Sequence, residues 1–234
     1  MSAADTTGTV ENGGKEGWAI DPGLPLGEGV YRALRDALRD GRLVPGDRLR
    51  EEDIARRLAV SRTPVREAFA RMLARRFIEP AGGRGLVVRT LDIGEVTELY
   101  MMREILEGAS ARLAARHASE FEVETLRQIE ESFEAAMSEE VQADANRDLH
   151  DAIVRMARNR YLDASLEELK DALPLLGRTT FSVANRPTGA AAEHRAVVDA
   201  IAAHDLDGAE AAARAHIRGA LRARLSMMRS PERA

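Results

Sequence analysis

The chain contains no cysteine among its 234 residues. That excludes a disulfide framework and any thiolate metal site, and it leaves the redox compartment open. It also lacks an apolar run approaching the ~18 residues of a membrane span. Residues 1–25 do not show the basic-then-apolar order of a signal peptide, and their Gly, Thr and acidic residues read as a flexible tail. A cytoplasmic protein with no membrane partner is expected. Positive charge is lacking overall, since the chain carries a net −5, a balance that alone argues against a nucleic-acid partner. Its distribution argues the other way. Residues 26–91 hold 15 Arg against 9 Asp and Glu, a net of +6, whereas residues 92–234 are net −8 and residues 1–25 net −3. Positive charge concentrated in one segment is the electrostatic footprint of a nucleic-acid face.

Within the basic segment, Ile54–Met72 reads as two short amphipathic helices joined by a tight turn. Ile54, Ala55 and Leu58 share one helical face, and Val65, Phe69, Met72 and Leu73 share another. Ala59, Val60 and Ser61 leave room for a turn of three or four residues, as a helix-turn-helix requires. Thr63 is the expected N-cap, with Pro64 at the first helical position. This places Ser61, Arg62, Thr63, Pro64 and Arg66 at the helix end that enters the major groove in such proteins. Upstream, Val30–Leu49 reads as a helix closed by Gly41 and a Pro45-Gly46 turn. Downstream, Phe77–Pro80 and Leu86–Val88 flank the glycine-rich tip Ala81–Gly85, forming a β-hairpin. Its glycines allow close backbone approach to DNA, and Arg84 is placed to reach a phosphate or the minor groove. Together these elements describe a winged helix-turn-helix.

The run from Gly41 through Pro45, Gly46, Asp47, Arg48 and Leu49, then Val60–Ala68, then Gly83-Arg84-Gly85, closely resembles the DNA-binding domain of GntR-family transcription regulators over residues 26–91. The resemblance implies DNA contacts from Arg48, Ser61, Arg62, Thr63, Pro64 and Arg66, and from the wing at Gly83, Arg84 and Gly85. Arg75-Arg76-Phe77 departs from the family's usual acidic residue and glycine before the hairpin.

From residue 92 to 228 the pattern is helix after helix. Asp92-x-x-Glu95, Ser119-x-x-Glu122 and Asp207-x-x-Glu210 read as capping boxes. Helices are expected at about 92–117, 120–139, 142–158, 160–184, 189–204 and 207–227. The fold class is therefore mainly α: an N-terminal winged helix-turn-helix followed by an antiparallel six-helix bundle. Asn146 and His150, four residues apart, project from one helical face. With His194 and His216 they offer three imidazoles and an amide oxygen to a divalent ion, zinc or nickel. Asp148, rotated ~200° from Asn146, cannot join that set. Tyr100, Arg103 and Glu107 form a stripe too polar for an ordinary core face. Arg103 reads either as half of a buried Arg103–Glu107 ion pair or as a planar clamp for a carboxylate. His117 and His204 are explained by favourable contact with helix C-termini.

The phrases Arg103-x-x-Leu106-Glu107, Asn146-x-x-Leu149-His150, Asn159, Glu193-His194-Arg195 and Ala215-His216 resemble the FCD ligand-binding domain of the FadR branch of that family, in its six-helix, VanR-like form. The resemblance implies a metal held by Asn146, His150, His194 and His216, and an organic-acid effector touching Arg103, Tyr100 and Glu107. It further implies a homodimer that binds double-stranded, near-palindromic operator DNA, most simply as a repressor. Two other functions fit three histidines: a metal sensor with the ion itself as effector, and a zinc-dependent hydrolase. The hydrolase lacks a well-placed general base, Glu107 being the nearest candidate.

Overall fold

The computed structural model describes residues 18–82 and 85–229, and the chain divides into two compact units, residues 1–89 and 90–234.

In the first unit, α1 (Leu26–Arg39) buries Val30, Tyr31, Ala33, Leu34, Ala37 and Leu38 while Arg32 and Arg39 face water. The helix stops well before Leu49. Gly41 (φ +69°) and Gly46 (φ +92°) take left-handed backbone that a side chain would strain. Beyond that turn Arg48–Leu49 runs as a short strand, β1, which the helical reading of this stretch had not anticipated. Helix α2 (Glu51–Leu58) buries Ile54, Ala55 and Leu58 and ends at Ala59, itself left-handed, with the Val60 N–H closing onto the Ala55 carbonyl at 3.0 Å.

Helix α3 (Arg62–Ala74) then begins after an extended Ser61, so the N-cap is Ser61 and not Thr63. Pro64 is thereby the third helical residue. It is tolerated there because the first N–H groups of a helix have no intrahelical acceptor to lose. Strands β2 (Ile78–Pro80) and β3 (Leu86–Val88) form the hairpin, and the three-stranded antiparallel sheet has the order β1-β3-β2. Arg48 pairs with Val87, and Ile78 with Val88. Gly83 and Arg84 lie outside the described residues. Of the flexible tail expected for residues 1–25, residues 1–17 lie outside the described residues, and the end is held in place. Trp18 lies under the Arg57 guanidinium at 4.8 Å and the Arg42 guanidinium at 5.6 Å, and Ile20 packs so closely on Gly29 that a Cβ there would come within 2.4 Å.

The second unit opens with α4 (Ile93–His117), whose capping box is complete: the Glu95 N–H donates to Asp92 Oδ1 at 2.8 Å and the Asp92 N–H to Glu95 Oε2 at 3.2 Å. Ser119 and Glu122 repeat the arrangement at α5 (Glu120–Ala135). Helix α6 spans Glu139–Met156, and α7 (Arg160–Lys170) is capped by Asn159. The fourth bundle helix was expected to reach residue 184, but it ends at Lys170. Two 3-10 turns, Leu173–Leu176 and Thr180–Ser182, follow instead. Pro174 and the left-handed Gly177 break the helix, and buried Arg224 donates to the carbonyls of Leu176 (3.0 Å) and Arg178 (2.8 Å).

Helix α8 (Arg186–Ala202) leads to α9 (Leu206–Arg229). Here Asp205, not Asp207, satisfies the first turn, accepting from the Gly208 N–H at 3.0 Å, while Asp207 pairs with Arg112. The Arg112–Asp207 and Glu104–Arg218 pairs run in opposite order along α4 and α9, so these long helices are antiparallel. The bundle has six α-helices among the described residues, packed around Leu126, Leu149, Ile153, Val198 and Ile201. A second cluster at Phe133, Ala145, Phe181 and Ala190 closes the end of the bundle beside His194.

Candidate functional site

The start of α3 presents its polar groups outward. Ser61, Arg62, Thr63 and Arg66 are exposed, and so is Arg48 on β1. Pro64, expected among the DNA contacts, is buried, so its ring supports the helix start from inside. Gly85, with φ +117°, is exposed at the wing. Arg62 and Arg66 of α3 are engaged by the acidic first turn of α2. Arg66 grips Glu51 with Nε to Oε1 at 3.3 Å and Nη2 to Oε2 at 3.1 Å, and Arg62 Nη2 lies 3.0 Å from Glu52 Oε1. The Arg66 hydrogen bonds hold the Glu51 carboxyl below its ordinary pKa. Such exposed pairs are worth little and give way readily to phosphate.

A second constellation lies inside the bundle, where α4, α6, α8 and α9 meet. His150 projects from α6, His194 from α8 and His216 from α9, and one nitrogen of each lies within 4.8 Å of the others. The His194 and His216 ring centres are 4.6 Å apart, and those of His150 and His216 5.1 Å. Asn146, one turn before His150, brings Oδ1 to 3.1 Å from His194 Nε2. The four residues expected to converge do so.

Their surroundings fix which ring atoms are free. Glu193 Oε2 accepts from His216 Nδ1 at 2.9 Å. Glu107 Oε2 approaches His150 Nδ1 to 2.6 Å, without the alignment of a formal hydrogen bond. His150 Nε2 is buried with no partner, as is His194 Nδ1. A buried nitrogen left unpaired costs about 1–3 kcal/mol, which a bound ion would offset. The residues therefore fit a divalent metal. Burial first, then the neighbouring imidazoles, push the His194 pKa well below its ordinary value. Burial, His150 and Arg186 do the same for His216, so both rings are neutral, the form a metal needs.

Arg103 resolves into the ion-pair geometry: its Nε donates to Glu107 Oε1 at 2.7 Å, its guanidinium lies 5.1 Å from the Tyr100 ring centre, and its side chain is only 12% exposed. Burial alone would raise the Glu107 pKa, but the charge of Arg103, with His150, holds it well below the usual carboxylate range. One Glu107 oxygen is thus on Arg103, while the other lies against His150 without a hydrogen-bond partner. A cavity whose lining includes Glu107, Ser110, His150, His194, Ala213 and His216 opens beside the cluster. His204 needs no such role, since its Nδ1 lies 2.7 Å from the Ala115 carbonyl.

Two participants were given no role from the sequence, although Glu193 stands in the phrase Glu193-His194-Arg195. Arg186 is buried and donates from Nη1 to Glu193 Oε2 at 2.7 Å, so Glu193 bridges Arg186 and His216. Arg186 and Glu193 stand seven residues apart on one face of α8, a spacing visible in the sequence. Their link to His216 crosses helices and was not.

Comparison with known proteins bears on both constellations. The description "Bacterial regulatory proteins, gntR family" matches residues 26–88, and "FCD domain" matches residues 98–219. The chain is 35% identical over 189 residues to a protein named "Probable D-xylose utilization operon transcriptional repressor" in Paenarthrobacter nicotinovorans, covering 77% of this chain and 80% of that one. It is 30% identical over 131 residues to the "Nta operon transcriptional regulator" of Aminobacter aminovorans, covering 54% of this chain and 61% of the relative's length. The solved structure of E. coli McbR/YncC superposes with a TM-score of 0.73 at 21% identity, over 88% of this chain and 99% of that one, a likeness of fold. The matching proteins are regulators and not enzymes, which removes the hydrolase reading.

Proposed function

Since the chain belongs to the GntR family of bacterial regulatory proteins and carries an FCD domain, we propose that this DNA-binding transcriptional regulator holds a divalent ion at Asn146, His150, His194 and His216. On this reading a small organic acid bound at the ion controls its grip on a near-palindromic operator. The observation that carries the reading is the convergence of three imidazoles, one nitrogen of each within 4.8 Å of the others, with His150 Nε2 and His194 Nδ1 buried and unpartnered. Imidazoles with one amide oxygen suit zinc or nickel.

When bound, the ion supplies a +2 charge that attracts oxygen ligands. Asn146 is neutral, so no ligand in the set cancels that charge, and an anionic effector is favoured. Arg103 meets Glu107 through Nε, and the fork of its guanidinium is the part assigned to the acid's carboxylate, beside Tyr100. Glu107 serves this site through Arg103 and His150. On the DNA side, Arg62, Arg66 and Thr63 read base edges and phosphates, Arg48 and the wing at Gly83–Gly85 hold the backbone, and a homodimer places two such faces on two half-sites. The Paenarthrobacter nicotinovorans relative is named a probable repressor, which favours release from DNA as the response to the acid, within the cytoplasm.

Elemental analysis of protein purified without chelator tests the metal, with about one ion per chain expected and His150→Ala or His194→Ala losing it. Calorimetric titration tests the charge argument. Asn146→Asp should bind the ion more tightly and the acid more weakly, because the added negative charge opposes an anionic ligand. Tighter acid binding by Asn146→Asp, or equal affinity for acids and their neutral amides, overturns it.

A further inference from the structure

Three features of the bundle meet at one carboxylate. Glu193 Oε2 accepts from His216 Nδ1 at 2.9 Å and from Arg186 Nη1 at 2.7 Å. Its other oxygen rests against Gly219 on α9, where an added Cβ would lie only 2.5 Å from Glu193 Oε1. Gly219 is buried in mid-helix, a position where glycine costs up to ~1 kcal/mol relative to alanine. The absence of a side chain there leaves the space the carboxylate occupies. Arg186, 7% exposed, has no carboxylate partner besides Glu193 among the described residues.

An imidazole can present either nitrogen, and which one is free depends on what holds the other. From this geometry we infer that Arg186 and Glu193 are positioning residues for His216, and that Gly219 is the opening that admits them. Arg186 fixes the carboxylate, the carboxylate accepts the hydrogen bond from Nδ1–H, and Nε2 keeps its lone pair for an ion shared with His150 and His194. The inference rests on the metal reading above, but its first consequence does not need the metal. In the ion-free protein His216 must already be the Nδ1–H tautomer. His194 is the contrast, because its Nδ1 has no partner and its Nε2 contacts Asn146.

The test uses the full-length protein, ion-free and then titrated with zinc. Nitrogen-15 spectra of the histidine side chains should show His216 as the Nδ1–H form in wild type. Glu193→Ala should shift it toward Nε2–H, and Glu193→Gln, which keeps an accepting oxygen, should restore the wild-type form in part. Zinc affinity should fall ~10–100-fold in Glu193→Ala, the usual effect of removing such a partner. Gly219→Ala should lower it too, because its new methyl group displaces the carboxylate without removing it. Glu134→Gln, an exposed carboxylate on Arg195, is the control and should bind zinc as wild type does.

An unchanged His216 tautomer in Glu193→Ala overturns the inference, as does wild-type zinc affinity in both Glu193→Ala and Gly219→Ala. If wild type takes up no zinc while the tautomers behave as stated, the positioning stands and it is the metal reading that fails.

Discussion

At the scale of single residues, burial sets the chemistry of the histidine cluster. His194 and His216 are 1% and 4% exposed, and charging either ring there is opposed by desolvation and by neighbouring positive groups. Their folded pKa values lie below the unfolded value of about 6.5, so the unfolded chain takes up protons first as pH falls. The stability these rings contribute is therefore fully present above pH ~6.5 and is lost progressively below it. For ion-free protein each should cost roughly 1.4 kcal/mol per pH unit in that acid range until its own folded pKa is reached. Thermal melts of ion-free protein from pH 7.5 to 5.5 should show the loss, and His216→Gln should reduce it. A melting temperature that rises over that interval would contradict the neutral-ring assignment. Exposed residues follow the opposite logic. Arg62 and Arg66 contribute little to stability through Glu52 and Glu51, so Arg62→Ala and Arg66→Ala should melt as wild type does. Each should still lose ~1–3 kcal/mol of operator binding, read by fluorescence anisotropy at physiological salt.

At the scale of elements, what could be read from the sequence divides along physical lines. Helix α4 was legible to within a residue and the start of α5 likewise, because period and capping box lie within a few neighbouring positions, whereas α5 ends at Ala135, four residues before the expected 139. The turn between α2 and α3 was also legible, though the cap fell on Ser61. Serine and threonine are near-equal caps, and the chain's extended backbone at Ser61 decided between them. Strand β1 was missed because two residues carry no periodicity and are strands only by pairing with β3, almost forty positions on. The over-long fourth bundle helix ignored Pro174 and Gly177, signals that were present. The anchoring of that segment by Arg224 could not be read, being a contact across some forty-six residues. The site shows the same split: Asn146 and His150 declared themselves by spacing, whereas Glu193 needed the fold to bring α9 alongside. Packing between elements then sets the stability of the whole bundle. Leu126 on α5 is fully buried in the cluster formed with Leu149, Ile153, Val198 and Ile201, so Leu126→Ala should cost about 2–5 kcal/mol in denaturant unfolding of the bundle. A loss below 1 kcal/mol would mean that α5 is not part of that core.

At the scale of the molecule, the chain's charge is segregated, net +6 over residues 26–91 and net −8 over residues 92–234. On the proposed function, attraction to DNA is thereby confined to one unit, and an anionic ligand would find local positive charge inside an otherwise acidic bundle at the proposed ion and Arg103. The two binding events are coupled only as far as the acid discriminates between the free and the DNA-bound protein. That coupling is reciprocal: a tenfold loss of operator affinity at saturating acid requires a tenfold loss of acid affinity at saturating operator, about 1.4 kcal/mol either way. Calorimetric titration of the acid with and without operator, set beside operator binding with and without acid, should return the same factor in wild type. In His150→Ala, which removes one of the converging imidazoles, both factors should collapse to one while operator affinity in the absence of acid stays at the wild-type level. If the acid still released the operator from His150→Ala as effectively as from wild type, it would be acting at some other place on the molecule, and the histidine cluster would be a structural ion site without a part in regulation.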